Sequence, residues 1–242
     1  MKHFFVLLFT LYWFSSCSVE DSVIPIEPKS ELTAFNKEVV SYFKEVALGF
    51  EFGNASKITR KWGNNDMKIF VGGTPTKALN SELSKVVSEL NILTGDNFKI
   101  EVTTDSSASN FYVFFGSGDQ YTAIFPSQKS NAESNWGLFS IFWNGSNDIT
   151  RGYMYVDIFR AEPIAQRHLL REELTQSLGL ARDSDKYIDS IFQQKWTLVT
   201  DYNKIDKELI RLLYHPRVTS GFTAQQVETI LKTILLEEQQ TM

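Results

Sequence analysis

The sequence predicts an α/β fold, with helices packed on a mixed, mostly parallel sheet in one domain. Two observations predict it. From about residue 30 onward, stretches with apolar residues three or four apart alternate with short β-branched and aromatic runs. No repeat, low-complexity tract or shift of composition interrupts residues 30–242. The chain has 242 residues, 43% hydrophobic and 22% charged, which excludes a disordered or collagenous protein. Its net charge is −5 and no Lys/Arg cluster stands out, so no nucleic acid is expected as a partner.

The elements follow in order. Ser30 is placed to cap a helix bearing Leu32, Phe35, Val39, Phe43 and Val46 on one side and closing at Gly49. Met67 to Val71 predicts a strand. Asn80 precedes a second amphipathic helix with Leu83, Val87, Leu90 and Leu93, stopped at Gly95. Strands are expected at Phe98 to Thr103 and Asn110 to Phe115, then a polar loop around Pro126 to Asn135. Trp136 to Trp143 and Gly152 to Phe159 predict two more strands joined by a turn at 144–148. Glu162-Pro163 opens a helix running to Gly179, with Pro at the first helical position. No clear period marks residues 183–201. Two helices finish the chain, from about Lys204 to Tyr214 and from Thr223 to about Glu237.

The N-terminus predicts export. The apolar run Phe4 to Phe14 follows Lys2 and His3 and is too short to span a bilayer, as in a signal peptide. The single cysteine, Cys17, stands just after Phe14-Ser15-Ser16, a segment that resembles a relaxed bacterial lipobox. One cysteine in an exported chain cannot form an internal disulfide, and lipidation accounts for both its number and its place. The expected organisation is a lipoprotein signal peptide over 1–16, a tether over 17–29 and a folded domain over 30–242. The membrane is then a partner through the N-terminal lipid, with the protein at the cell envelope.

One segment combines ionisable groups at helical spacing directly after a strand: Arg171-Glu172-Glu173-Leu174-Thr175-Gln176, then Gly179 and Arg182-Asp183. Glu172 and Gln176 are four apart and share a face, with Glu173 beside them. Strand, helix with polar groups at i, i+1 and i+4, and Gly three residues on resemble the zincin metalloproteases, and more narrowly the metzincin motif HExxHxxGxxH/D. Asp189-Ser190-Ile191-Phe192 resembles the methionine turn beneath a metzincin zinc site, with Phe192 in the place of Met. The run from this helix to Arg211-Leu212-Leu213-Tyr214-His215-Pro216-Arg217 is similar to a family of uncharacterised, exported, zincin-like bacterial proteins. The resemblance implies a zincin-like, metalloprotease-like single domain with a long central helix at 163–179 and a mainly helical C-terminal subdomain.

The departures from that motif matter most. Glu172 and Gln176 stand where the superfamily has zinc-ligating histidines, and Arg182 or Asp183 where it has the third ligand. Glu173 alone matches, at the general-base position. Catalytic zinc takes three protein ligands, usually imidazoles or imidazoles with a carboxylate, and keeps a position for water. Without a metal to acidify it, water at a pKa near 15.7 rather than about 7 forfeits about 12 kcal/mol of activation. No zinc cofactor is therefore expected. Two atypical metal sites are conceivable, a zinc site from His168, Glu172 and His215, or an all-oxygen Ca²⁺ or Mg²⁺ site from Glu172, Glu173, Gln176 and Asp183. The plainer alternative is a hydrogen-bonded network of Arg171, Glu172, Gln176, Arg182 and Asp183 that pins the helix to the second half of the domain.

Lesser features are expected to be structural. Gly116-Ser117-Gly118-Asp119 lacks the Lys or third Gly of a phosphate loop and is expected to be a turn. The aromatic runs 111–115 and 139–143 are expected to be sheet core, with a share of them forming a groove wall. Three functions compete on the sequence. The first is a non-catalytic envelope module binding an unknown peptide, protein or glycan. The second is a metal-dependent hydrolase using Glu173. The third is a structural protein whose former site has become packing and has no open cleft.

Overall fold

The computed structural model describes residues 31–50, 55–63, 66–95 and 98–241. The expected signal peptide, Cys17, the tether and the Ser30 cap lie outside the described residues. Helix α1 spans Ala34–Ala47 and is capped by Thr33, whose hydroxyl accepts from Asn36 N–H. Strands β1 (Lys61–Trp62) and β2 (Asp66–Gly73) lead to α2 (Lys77–Thr94). This second helix starts earlier than the sequence suggested. Thr76 is the cap, accepting from Leu79 N–H, and Asn80 sits inside the first turns. A hydroxyl just after Pro75 reaches the orphan amides sooner than Asn80 can. Gly95 ends it at φ 65°, as expected.

Strands β3 (Lys99–Thr103) and β4 (Phe111–Gly116) follow, and then comes the main departure from expectation. The glycine pair is not a turn but a strand-to-helix junction opening α3 (Gly118–Ile124). Ser117 and Gln120 form a reciprocal capping box there. The polar stretch after Pro126 contains α4 (Lys129–Ser134). Both helices are too short to show a repeating apolar stripe. Strands β5 (Gly137–Trp143) and β6 (Asp148–Asp157) form the expected hairpin.

Helix α5 (Pro163–Gln176) begins at Pro163 as predicted but ends three residues before Gly179. Gly179, at φ 116°, is where the chain turns away. A Cβ there would lie 1.9 Å from the Arg60 carbonyl oxygen, so only glycine allows the close approach to the segment before β1. Helices α6 (Lys204–Leu213) and α7 (Ala224–Thr241) complete the mainly helical C-terminal part.

The sheet is mixed and mostly parallel, in the order β1-β6-β4-β2-β3, with β5 antiparallel to β6. Ile149 pairs with Trp62 on one side and Trp143 on the other, so β5 occupies an outer edge. The main core lies between the sheet and α1, α2, α5, α6 and α7. A smaller aromatic core of Phe114, Tyr121, Leu138, Tyr153 and Tyr155 fills the opposite face beneath α3 and α4. The result is a single mixed α/β domain. No helix among the described residues is long and apolar enough to cross a membrane.

Candidate functional site

The site is set by how α5 is locked in rotation. At its entrance Asp157, buried at the end of β6, accepts from the backbone N–H groups of Gly118, Phe159 and Arg160. It also accepts from Arg160 Nε at 2.7 Å, and the rest of that guanidinium bonds the carbonyls of Ala132, Glu133 and Asn135 and the Tyr155 hydroxyl. Farther along α5, Arg171 is fully buried, paired with Glu82 and Glu89 of α2 and seated 4.5 Å over the Tyr202 ring. Thr175 shares a 2.7 Å hydrogen bond with the Tyr202 hydroxyl. With residues 171 and 175 turned to α2 and Tyr202, helical geometry sends 172, 173 and 176 the other way.

There they line an open cleft of about 1030 Å³. One wall is Trp136 and the strand β5 that follows it, to Trp143. The floor is α5, through His168, Leu169, Glu172, Glu173 and Gln176. The far side is the segment from Ala181 to Trp196, and α4 forms the upper rim. Asp157 N–H donates to the Trp136 carbonyl, which puts residues 136, 138, 140 and 142 in register to bond β6. The alternate residues Gly137, Phe139 and Ile141 turn their N–H and C=O groups to the free edge. A Cβ at Gly137 would lie 2.7 Å from Glu173 Oε1 and 2.8 Å from Leu169 Cδ2, so glycine is what lets α5 and its carboxylate approach the strand this closely.

Each polar group in the floor has a defined setting. His168 Nδ1 bonds the Val199 carbonyl at 2.7 Å and therefore carries a proton, while Nε2 faces Glu172 Oε2 at 3.2 Å. Burial disfavours the charged ring. The Glu172 hydrogen bond and charge, the Val199 carbonyl and the Asp183 charge together outweigh it and raise the imidazole pKa above its ordinary value. Gln176 donates its amide to Asp183 Oδ1. Glu173 is buried against β5.

The sequence-predicted residues divide. His168, Glu172, Glu173, Gln176 and Asp183 all line the cleft. Arg182 does not. Its backbone N–H bonds the Val46 carbonyl and its side chain lies against Gly49, which leaves Asp183 as the residue facing the helix. His215 is also elsewhere, at the end of α6, accepting from Arg217 N–H, its pKa lowered by burial and by the Arg217 charge. Phe192 is fully buried in the main core, in a turn held by Asp206, which accepts from the Ser190 hydroxyl at 2.6 Å and Ile191 N–H at 3.0 Å. The expected single network is therefore corrected: Arg171 turns to α2 and Arg182 to α1, while Glu172 and Gln176 stay on the cleft side with His168 and Asp183. The third alternative, a former site closed by packing, is corrected by the open cleft.

Residues 36–233 match a family described as "Protein of unknown function (DUF2927)". The chain belongs to that family. Its sequence matches no curated protein. Among solved structures it is similar to the crystal structure of myroilysin, at 14% identity and a TM-score of 0.41, over 77% of this chain and 99% of that one.

In this family member the helix residues do not fit zinc. Both ring nitrogens of His168 are engaged, Glu172 is held by that ring, and Gln176 offers an amide already bonded to Asp183. With His215 outside the cleft, the imagined His168–Glu172–His215 set does not assemble. Among the described residues no group of three or more His, Cys, Asp or Glu is placed to hold a metal ion. Sequence reasoning missed Trp136 and Trp196. Trp136, just before β5, and Trp143, at its end, are each 40% exposed, and Trp196 is 57% exposed. Phe111 and Phe115 are core as expected, and Trp143 belongs to the groove-wall share. Their position at strand ends and beside polar Gln194-Lys195 was the available signal.

Proposed function

We propose that this protein is a lipid-anchored binding module of the cell envelope, with a metalloprotease-like fold, that holds an extended ligand in its cleft without cutting it. The observation that carries the proposal is the placing of Glu172, Glu173 and Gln176 on the floor of an open cleft, with Asp183 on its far side, beside an antiparallel edge strand. This matches what the sequence resemblance implies for a zincin, with Glu173 alone standing at the general-base position. A free strand edge is also a surface on which extended ligands bond main-chain groups. The anchor rests on the Cys17 segment. Cys17→Ala is expected to move the protein from the membrane to the soluble fraction, and unchanged partitioning would count against lipidation.

The test of the fold correspondence and of the lost activity is one experiment. Purified protein is dialysed without chelator, assayed for bound zinc and for peptide hydrolysis, and compared with the double variant Glu172→His, Gln176→His. The wild-type chain is expected to hold no stoichiometric zinc and to leave peptides intact. The double variant, with Asp183 as third ligand, is expected to bind one equivalent. Stoichiometric zinc in the wild type would instead support the hydrolase using Glu173 as base. A double variant that folds but binds no zinc would mean these positions do not correspond to a zincin site.

A further inference from the structure

The walls of the cleft differ from its floor in a way that points to the class of ligand. Trp196 is largely exposed on a stretch in which Gln194 and Lys195 are exposed as well. Its ring is nevertheless braced from two sides, edge-to-face with Trp136 at 5.7 Å and 77°, and with His168 at 5.7 Å and 82°. An indole kept in water and fixed in orientation is a preorganised apolar platform. On the upper rim, primary amides form a string. Asn131 Nδ2 donates to Gln128 Oε1 at 3.4 Å, and Gln128 Nε2 donates to the Tyr153 hydroxyl at 3.3 Å. Each amide has two N–H donors and an oxygen with two lone pairs, so each can also serve a hydroxyl that both donates and accepts.

We propose that the cleft takes a neutral oligosaccharide chain, an inference that rests on the cleft being the binding site. A pyranose presents a flat C–H face to an indole and a rim of hydroxyls to amides and carboxylates, which is the pairing these walls offer. Charge narrows the class. Three carboxylates, Glu172, Glu173 and Asp183, outnumber the basic groups of the cleft, Lys195 and His168, and this balance disfavours uronate, sulfate or phosphate chains. A peptide strand added to β5 engages the strand edge, but it calls for neither the amide string nor the braced indoles.

The test is a tryptophan-fluorescence and calorimetric titration of the full chain in detergent. The neutral probes are the hexasaccharides of cellulose, chitin and β-1,3-glucan. An alginate hexamer is the anionic probe and a casein digest the peptide probe. Saturable binding of a neutral hexasaccharide is expected, weakened at least about tenfold in Trp196→Ala. The exposed position of Trp196 should leave the variant's melting temperature unchanged, and Gln128→Ala provides an independent second variant. Neutral-sugar binding untouched by both variants would place the sugar elsewhere and overturn the proposal, as would tighter binding of alginate. Binding of the digest alone would overturn the saccharide assignment while leaving the cleft standing as a binding site. Binding of no probe would count against both.

Discussion

The two sides of α5 use consecutive charged residues for opposite ends. Arg171 is fully buried and spends its guanidinium on two glutamates of α2 and the face of Tyr202. Glu172 and Glu173, the next residues, line a cleft open to solvent with Gln176 one turn on. One helix thus carries a buried structural charge and a cleft-lining face about a third of a turn apart. Sequence spacing alone gives no sign of which is which. The lesson is that an ionisable cluster at helical spacing is to be divided by face before it is assigned a chemistry.

The largest effect should fall on the buried side. Arg171→Ala strands Glu82, which is only 11% exposed, and is expected to cost about 3 kcal/mol or more, read from chemical denaturation. A cost under about 1 kcal/mol would show that the pairing with α2 does not fix the helix. The second effect is a pH dependence in the same buried half. Burial raises the Asp206 carboxyl from 3.8 to about 6, against the hydrogen bonds from Ser190, Ile191 and Asn203 that favour its charge. A carboxyl whose folded pKa lies above its unfolded one contributes stability that is fully present below about pH 4 and is lost as pH rises through about 6. The loss is on the order of 2–3 kcal/mol. Asp206→Asn should flatten stability between those pH values. An unchanged slope in the variant would assign the titration to another group.

On the cleft side the expected effects are smaller. Gln176→Ala removes the amide bonded to Asp183 and is expected to cost about 1–3 kcal/mol, because Gln176 is itself buried. A thermal melt indistinguishable from wild type would mean that this pair carries no fold stability and belongs wholly to the cleft lining, and would sharpen the contrast with Arg171.

Much of the architecture was legible because its signals are long. The stripe Val39, Phe43, Val46 and the run Leu83, Val87, Leu90 each extend over several turns, and all six residues are buried. Pro163 opening α5 and Gly95 closing α2 acted as punctuation that the backbone obeys. The spacing of Glu172 and Gln176 correctly placed both on one face. What stayed hidden depends on distant partners. Helices α3 and α4 are too short for periodicity, and their stability comes from a capping box and an aromatic core shared with β6. Arg182 and Asp183 are adjacent, and only the path of the chain past α1 decides that Asp183 faces Gln176. The brace on Trp196 joins residues 136, 168 and 196, a relation no local pattern encodes.

The Arg160 hub has a consequence for the order in which the protein is made. Helix α4 ends with carbonyls that lack intrahelical partners, and those of Ala132, Glu133 and Asn135 are answered by one guanidinium 25 to 28 residues later in the chain. The Tyr155 hydroxyl that shares this task comes only slightly earlier. During synthesis the upper rim of the cleft therefore has to wait, its last turn satisfied only by water, until β6 and the residues just beyond it have emerged. The far wall of the cleft, Ala181 to Trp196, and the Tyr202 that holds α5 are made later still, so the cleft is complete only once the chain has passed residue 202.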